Sequence, residues 1–155
     1  MSKSHSYIRK NIRLEYSHKV YFTKDSFSPK NDTLAEILQP HREGRRTKAV
    51  VFVDEGIMDG NPNLVERVTS YFRSRDDRLD LVCPPEFIRG GEPAKNDWSL
   101  VEKIWELLNR HAMCRHSYVI VIGGGAALDL VGFAASTAHR GLRLVLFPTT
   151  TLSQG

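Results

Sequence analysis

Cysteine is scarce in this 155-residue chain: Cys83 and Cys114 stand thirty-one positions apart, with no C-x-x-C unit. A disulfide scaffold or a zinc ribbon therefore has no support, and free thiols are the expectation. Long apolar runs are missing as well, since no stretch approaches the roughly 18 residues of a membrane span. The N-terminal MSKSHSYIRKNIRLEY has basic residues but no apolar stretch behind them, unlike a secretory signal, so a cytoplasmic location is expected. Acidic residues are in short supply at one end only: residues 1–48 hold 11 Lys+Arg against 5 Asp+Glu, whereas the remainder holds 11 against 13. The formal charge of +4 thus belongs to a basic leader and not to the body of the chain. Without aromatic-basic interleaving or zinc-finger spacing, that leader reads as a solvated extension or an oligomer-contacting arm, and neither nucleic acid nor membrane is expected as a partner. A hydrophobic fraction of 41% with 26% charged residues excludes a wholly disordered or fibrous chain.

What is present is a regular alternation of two patterns. Residues 49–53 (AVVFV) form a continuous, mostly β-branched run suited to a strand covered on both faces, ending at Asp54-Glu55-Gly56. Asn61-Pro62 reads as a cap with proline in the first turn, and Leu64, Val65, Val68, Tyr71 and Phe72 recur at helical spacing. Residues 79–82 predict a second strand stopped by Pro84-Pro85, followed by a loop with GGEPAKN. Asp97 or Ser99 can cap the next helix, whose apolar face is Leu100, Val101, Ile104, Leu107 and Leu108. The strand at 118–122 (YVIVI) then enters Gly123-Gly124-Gly125 and a small-residue helix through about Ala138, with Gly141 as its expected C-cap. Residues 142–147 close the series as a strand before Pro148. Residues 18–24 (HKVYFTK) are read as an additional strand and residues 33–38 as a short helix. Strands alternating with helices at this spacing imply βαβ units, so the expected class is α/β: a Rossmann-like, mostly parallel sheet with helices on both faces. The expected organisation is a basic leader over 1–48 and an α/β domain over 49–155, truncated at its C-terminal end.

In open parallel sheets ligands bind beyond the carboxyl ends of the strands, which directs attention to the loops after residues 53, 122 and 147. Gly123-Gly124-Gly125 lets backbone approach a ligand, and the helix that follows offers free N–H groups and a positive dipole end to a pyrophosphate. The turn departs from G-x-G-x-x-G because Leu128 stands where glycine or alanine is needed, and no Gly-Lys-Ser/Thr makes it a P-loop. A tight turn packing helix on sheet is the plainer reading. Asp129 lies in the first turns of that helix, either to meet a ligand hydroxyl or to brace a loop. Asp54 and Glu55 occupy the position from which a carboxylate takes ribose hydroxyls, or else make a hydrophilic turn. Glu92 and Lys95 are a surface ion pair or a ligand pair, and Thr149 to Thr151 touch a ligand or cap a helix. His111, Cys114 and His116 do not match a recognised zinc spacing, and no G-x-S-x-G supports a hydrolase.

Taken together, GGEPAKN, VIGGGAALDLVGFAASTAHRG and FPTTTLSQ, in this order and spacing, resemble the N-terminal domain of 3-dehydroquinate synthase and its relatives, the sugar phosphate cyclases. The resemblance implies an NAD-binding domain in which Asp54 and Glu55 meet the adenosine ribose and Glu92 and Lys95 the nucleotide. It places Gly124, Gly125 and Asp129 at the pyrophosphate and nicotinamide side, and Thr149 and Thr150 at the cofactor. Arg140 matches an arginine that reaches the phosphate of a sugar phosphate substrate across a homodimer interface. The implied reaction oxidises a hydroxyl, eliminates phosphate, reduces the ketone and closes the ring by an intramolecular aldol step. Zinc or cobalt and further phosphate- and carboxylate-binding groups are implied for a helical second domain that these residues do not include, so the 155 residues alone are expected to be inactive. Leu128 before Asp129, and Thr151, Ser153 and Gly155 in the last motif, look more like a divergent branch similar to 2-epi-5-epi-valiolone synthase. A metal-dependent polyol or glycerol dehydrogenase and a noncatalytic nucleotide-binding module remain the alternatives.

Overall fold

A computed structural model describes residues 6–15, 17–39, 44–91 and 97–154. Strand β1 (Thr47–Asp54) is buried at every residue but the half-buried Lys48, and its β-branched side chains have cover on both faces. It is flanked by β4 (Tyr118–Gly123), paired in parallel from Ala49 opposite Tyr118 to Val53 opposite Ile122. β5 (Arg143–Pro148) lies beyond β4, again parallel, and forms one edge. The other side of β1 is shared by two short segments in succession. β2 (Leu79–Leu81) pairs with Thr47 to Ala49, and β3 (Glu86–Ile88) pairs with Phe52 to Asp54. Pro84 and Pro85 interrupt what would otherwise be one strand, because proline cannot donate to the ladder. The sequence pattern missed β3 for the same reason: after two prolines its three residues are too short a run to show a period.

The expected α/β architecture is therefore present as a five-stranded parallel sheet, with the order β2-β1-β4-β5 and β3 beside β1. Helices cover both faces. On one, α3 (Trp98–Arg110) and α4 (Gly125–Thr137) bury Val101, Ile104, Leu108, Val131 and Ala134 against Val50, Phe52, Val119 and Val121. On the other, α1 (Thr33–Ile37) and α2 (Leu64–Arg73) bury Leu34, Leu64, Val68 and Tyr71 against Ala49, Val51, Val53 and Ile120. Alternate residues of β1 and β4 thus serve opposite cores, the two-residue period of a strand.

Charge alone assigned residues up to 48 to a leader, yet part of that segment belongs to the core. Phe27, Leu34 and Leu38 are buried, and Arg75 of the turn after α2 holds the segment down. Its guanidinium donates to the carbonyl oxygens of Pro29 and Asn31, both at 3.0 Å, and to Asp32 Oδ1 at 2.8 Å, while lying 4.1 Å above the Tyr71 ring. The same guanidinium holds the Asp32 carboxyl below the usual range. The strand expected at residues 18–24 does not form. Those residues are exposed, with Phe22 at 97%, and no described strand lies beside them to complete a ladder.

Of three expected helix caps, one named candidate holds and two shift. Asn61 does not cap α2, which begins at Leu64 after a turn through Pro62 and has no side-chain cap. Asp97, and not Ser99, caps α3: its Oδ1 accepts from the Ser99 N–H at 3.0 Å and from the Ser99 hydroxyl at 2.6 Å. α4 ends at Thr137 with Ala138 as its C-cap, and Gly141, at φ +89°, closes the turn that follows. Among the described residues no helix is long and apolar enough to cross a membrane.

Candidate functional site

Because all the strands run the same way, the loops leaving β1, β3, β4 and β5 emerge at a single edge. There they enclose a cleft of about 530 Å3, lined by Asp54 to Ile57, Arg89 to Gly91, Gly124, Thr149 and Thr150. That volume lies within the roughly 300–1,000 Å3 of ordinary ligand sites. Asp54, Glu55, Gly124, Thr149 and Thr150 were all anticipated from the sequence. Gly56, Ile57, Arg89, Gly90 and Gly91 were not, although Gly90 and Gly91 had been noted as part of a loop. The signal that could have found Arg89 is its place just after an apolar triplet and just before two glycines, where β3 ends.

Asp54 ties this edge together. One carboxylate oxygen accepts from the Gly56 N–H at 3.0 Å, the other from the Gly124 N–H at 3.3 Å. Two glycines press on it so closely that a side chain would not fit. A Cβ at Gly90 would stand 2.4 Å from Asp54 Oδ1, and one at Gly123 would stand 2.6 Å from Asp54 Cβ. Glycine is needed at both positions because the strand ends meet here, not because of backbone conformation. The β4–α4 turn is also braced from the β5 side by the Thr149 N–H, which donates to Gly123 O at 2.9 Å. Thr150 brings its methyl group against Gly124 and shares a 2.8 Å hydrogen bond with the Ser153 hydroxyl.

α4 starts at this edge with Gly124 as its N-cap, and no described side chain caps it. Gly124 lines the cleft, so the N-terminal end of α4, with its unpaired N–H groups and the positive end of its dipole, lies beside it, the arrangement that holds a phosphate group. Arg89, exposed at the rim, adds a cation, and Glu55, also exposed, adds an anion. Asp129 is exposed on the second turn of α4. Glu92 and Lys95 lie outside the described residues.

Arg140 is not brought to the cleft. It follows the C-terminal end of α4, which at 13 residues is roughly 20 Å long, so it sits at the opposite edge of the sheet. Arg140 and His139 both have positive φ, +71° and +45°, a conformation side-chain-bearing residues adopt sparingly. The cysteines are also remote from the cleft. Burial, helped by the Glu86 carboxylate, raises the Cys83 thiol to about 11, whereas the backbone N–H of His116 and the Ser117 hydroxyl pull the Cys114 thiol down. Among the described residues no three His, Cys, Asp or Glu side chains gather to hold a metal ion.

With the glycine-lined edge and uncapped helix in place, comparison with known proteins gives a consistent result. The family model for the 3-dehydroquinate synthase N-terminal region matches residues 86–155, from β3 through every later cleft loop. Over those residues the chain is similar to the 3-dehydroquinate synthase N-terminal family. A 3-dehydroquinate synthase of Thermoanaerobacter pseudethanolicus is 32% identical over 140 residues, 90% of this chain and 35% of that protein. A similar fold is found in ValA, a 2-epi-5-epi-valiolone synthase from Streptomyces hygroscopicus subsp. jinggangensis solved with NAD+ and Zn2+. That match has a TM-score of 0.70 at 24% identity and covers 92% of this chain and 35% of ValA. A 2-deoxy-scyllo-inosose synthase, solved with carbaglucose-6-phosphate, NAD+ and Co2+, matches with a TM-score of 0.54 at 24% identity, over 70% of this chain and 27% of its own. The chain thus spans about a third of the length of its relatives.

Proposed function

We propose that this chain is the NAD-binding part of a 3-dehydroquinate synthase-like sugar phosphate cyclase, a carbon–oxygen lyase acting in the cytoplasm. The observation that supports it best is the glycine-lined cleft at the uncapped start of α4: a helix N-terminus, with Arg89 at the rim, is offered where a pyrophosphate would lie. Four glycines, Gly56, Gly90, Gly123 and Gly124, whose Cβ would meet Asp54 or Thr150, let the backbone of the strand-end loops draw together around it. Bound there, NAD would supply a reversible hydride acceptor, so that the substrate is oxidised and later reduced with no net redox change.

In this reading the carboxylates that close β1, Asp54 and Glu55, lie at the adenosine ribose, and Glu92 and Lys95 hold the nucleotide. Gly124, Gly125 and Asp129 serve the pyrophosphate and nicotinamide side, with Thr149 and Thr150 across the cleft. Residues 49–155 are the cofactor unit, and residues 1–48 are a leader whose buried part packs onto it. Arg140, remote from its own cleft, serves the substrate phosphate of a neighbouring copy in a homodimer. The described residues do not fit a metal site, so no step is assigned to zinc or cobalt. Leu128, Thr151, Ser153 and Gly155 support a divergent branch similar to 2-epi-5-epi-valiolone synthase.

Isothermal titration of NAD into the protein is expected to show one saturable site, and absence of binding would overturn the reading. Net NADH accumulation with a simple polyol, without phosphate release from a sugar phosphate, would favour a polyol dehydrogenase instead.

A further inference from the structure

We propose that the cavity between the C-terminal end of α2 and β2 is a second binding site, which takes a free α-amino acid with an apolar side chain. It has a volume of about 410 Å3, within the range of ordinary ligand sites. It is also remote from the cleft. β2 pairs with Thr47 to Ala49, at the start of β1, and the cleft begins at Asp54, roughly 20 Å further along that strand. Phe72, Leu81 and Val82 give the cavity an apolar floor. Charge at the rim is balanced but divided. Arg46 is already engaged, its guanidinium donating to Asp80 Oδ1 at 3.0 Å and to Leu79 O at 3.3 Å. Arg73, the last residue of α2, and Asp76, in the turn after it, are both exposed. Neither side chain has a hydrogen bond or ion pair among the described residues, and they do not pair with each other. A simple anion would meet Asp76 and a simple cation would meet Arg73, so each is disfavoured by one half of the rim. A zwitterion satisfies both. Its α-carboxylate accepts from the Arg73 guanidinium, its α-ammonium donates to Asp76, and its side chain displaces water from the floor. The end of a peptide carries only one of these two charges.

The test titrates the isotope-labelled chain with L-leucine and follows its amide NMR shifts, beside leucinamide, which lacks the carboxylate, and N-acetyl-leucine, which lacks the ammonium. L-Leucine is expected to saturate, with shifts centred on residues 69–83 and none at Gly56 or Gly124 in the cleft. Both analogues should bind the parent at least about tenfold more weakly. Arg73→Gln should weaken leucine about tenfold but leucinamide by less than about twofold, since that analogue has no carboxylate left to lose. Asp76→Asn should do the same to leucine and spare N-acetyl-leucine. Both side chains are exposed, so the variants are expected to keep the parent melting temperature, and the analogue series on the parent decides the matter even without them. No saturation by about 10 mM leucine would overturn the proposal, as would analogues that bind as tightly as leucine. Shifts confined to the cleft, or leucine affinity unchanged in both variants, would overturn it as well. NAD plays no part in these measurements, so their failure leaves the cofactor reading untouched.

Discussion

Gly90→Ala makes the packing at the cleft edge measurable. The added methyl would lie 2.4 and 2.5 Å from the two Asp54 oxygens and 2.7 Å from its Cγ, well inside contact distance. Asp54 cannot swing aside freely, because doing so releases the Gly56 and Gly124 amides. Either those bonds break or the loop after β3 lifts. Overpacking costs about 1–3 kcal/mol and a hydrogen bond to a charged group contributes about 1.5–3, so a loss of about 3 kcal/mol is expected. The direction is itself diagnostic: Gly90 does not have positive φ, and at such a site alanine would otherwise stabilise by about 0.4–1 kcal/mol. In the Asp54→Ala background the three atoms in the way are gone, so the same methyl should cost at least about 1.5 kcal/mol less. Urea unfolding of the parent, both single variants and the double variant gives the coupling, provided the denaturant slopes agree. Effects that add within about 0.5 kcal/mol would show that Gly90 and Asp54 do not meet as described.

Arg75→Ala should destabilise the fold by about 2–3 kcal/mol, because a buried guanidinium that joins two carbonyls, a carboxylate and an aromatic face is removed; thermal melting checks this, and a change below about 0.5 kcal/mol would refute it. Limited trypsin digestion should cut at Arg9, Arg13 and Lys19, all exposed, and leave residues 27–38 attached to the core; early loss of that segment by mass spectrometry would contradict its burial. Asp129→Ala should lower NAD affinity about tenfold with an unchanged melting temperature, and unaltered affinity would leave the residue a bracing role only. Alkylation should label Cys114 first as pH rises through neutrality, since its thiolate is favoured, while Cys83, raised to about 11, stays protonated and slow; equal rates at both would refute the difference.

Much of the fold could be read without coordinates because hydrophobic period carries it. β1, β4 and β5 are strong apolar runs, α2 and α3 have one apolar face each, and their alternation requires a parallel sheet. The readings that went astray lacked a local signal. Residues 18–24 look strand-like, but a strand exists only where another lies beside it, and none of the described strands does. β3 follows two prolines and owes its pairing to β1, thirty-four positions away where Phe52 faces Glu86. Charge placed residues 27–38 in a leader, while the burial of Phe27, Leu34 and Leu38 places them in the core.

The cleft divides in the same way. Glycine runs, strand-end carboxylates and threonines are local in sequence and pointed to Gly124, Asp54, Glu55, Thr149 and Thr150 by themselves, because backbone access and strand position are one-dimensional facts. That Asp54 is enclosed while Glu55 is open, that Arg89 and Gly90 complete the wall, and that Arg140 faces the far edge follow only from the convergence of four strand ends. Sequence specifies what each strand end carries, whereas tertiary packing decides which of two adjacent carboxylates is enclosed against backbone amides and which stays exposed at the cleft.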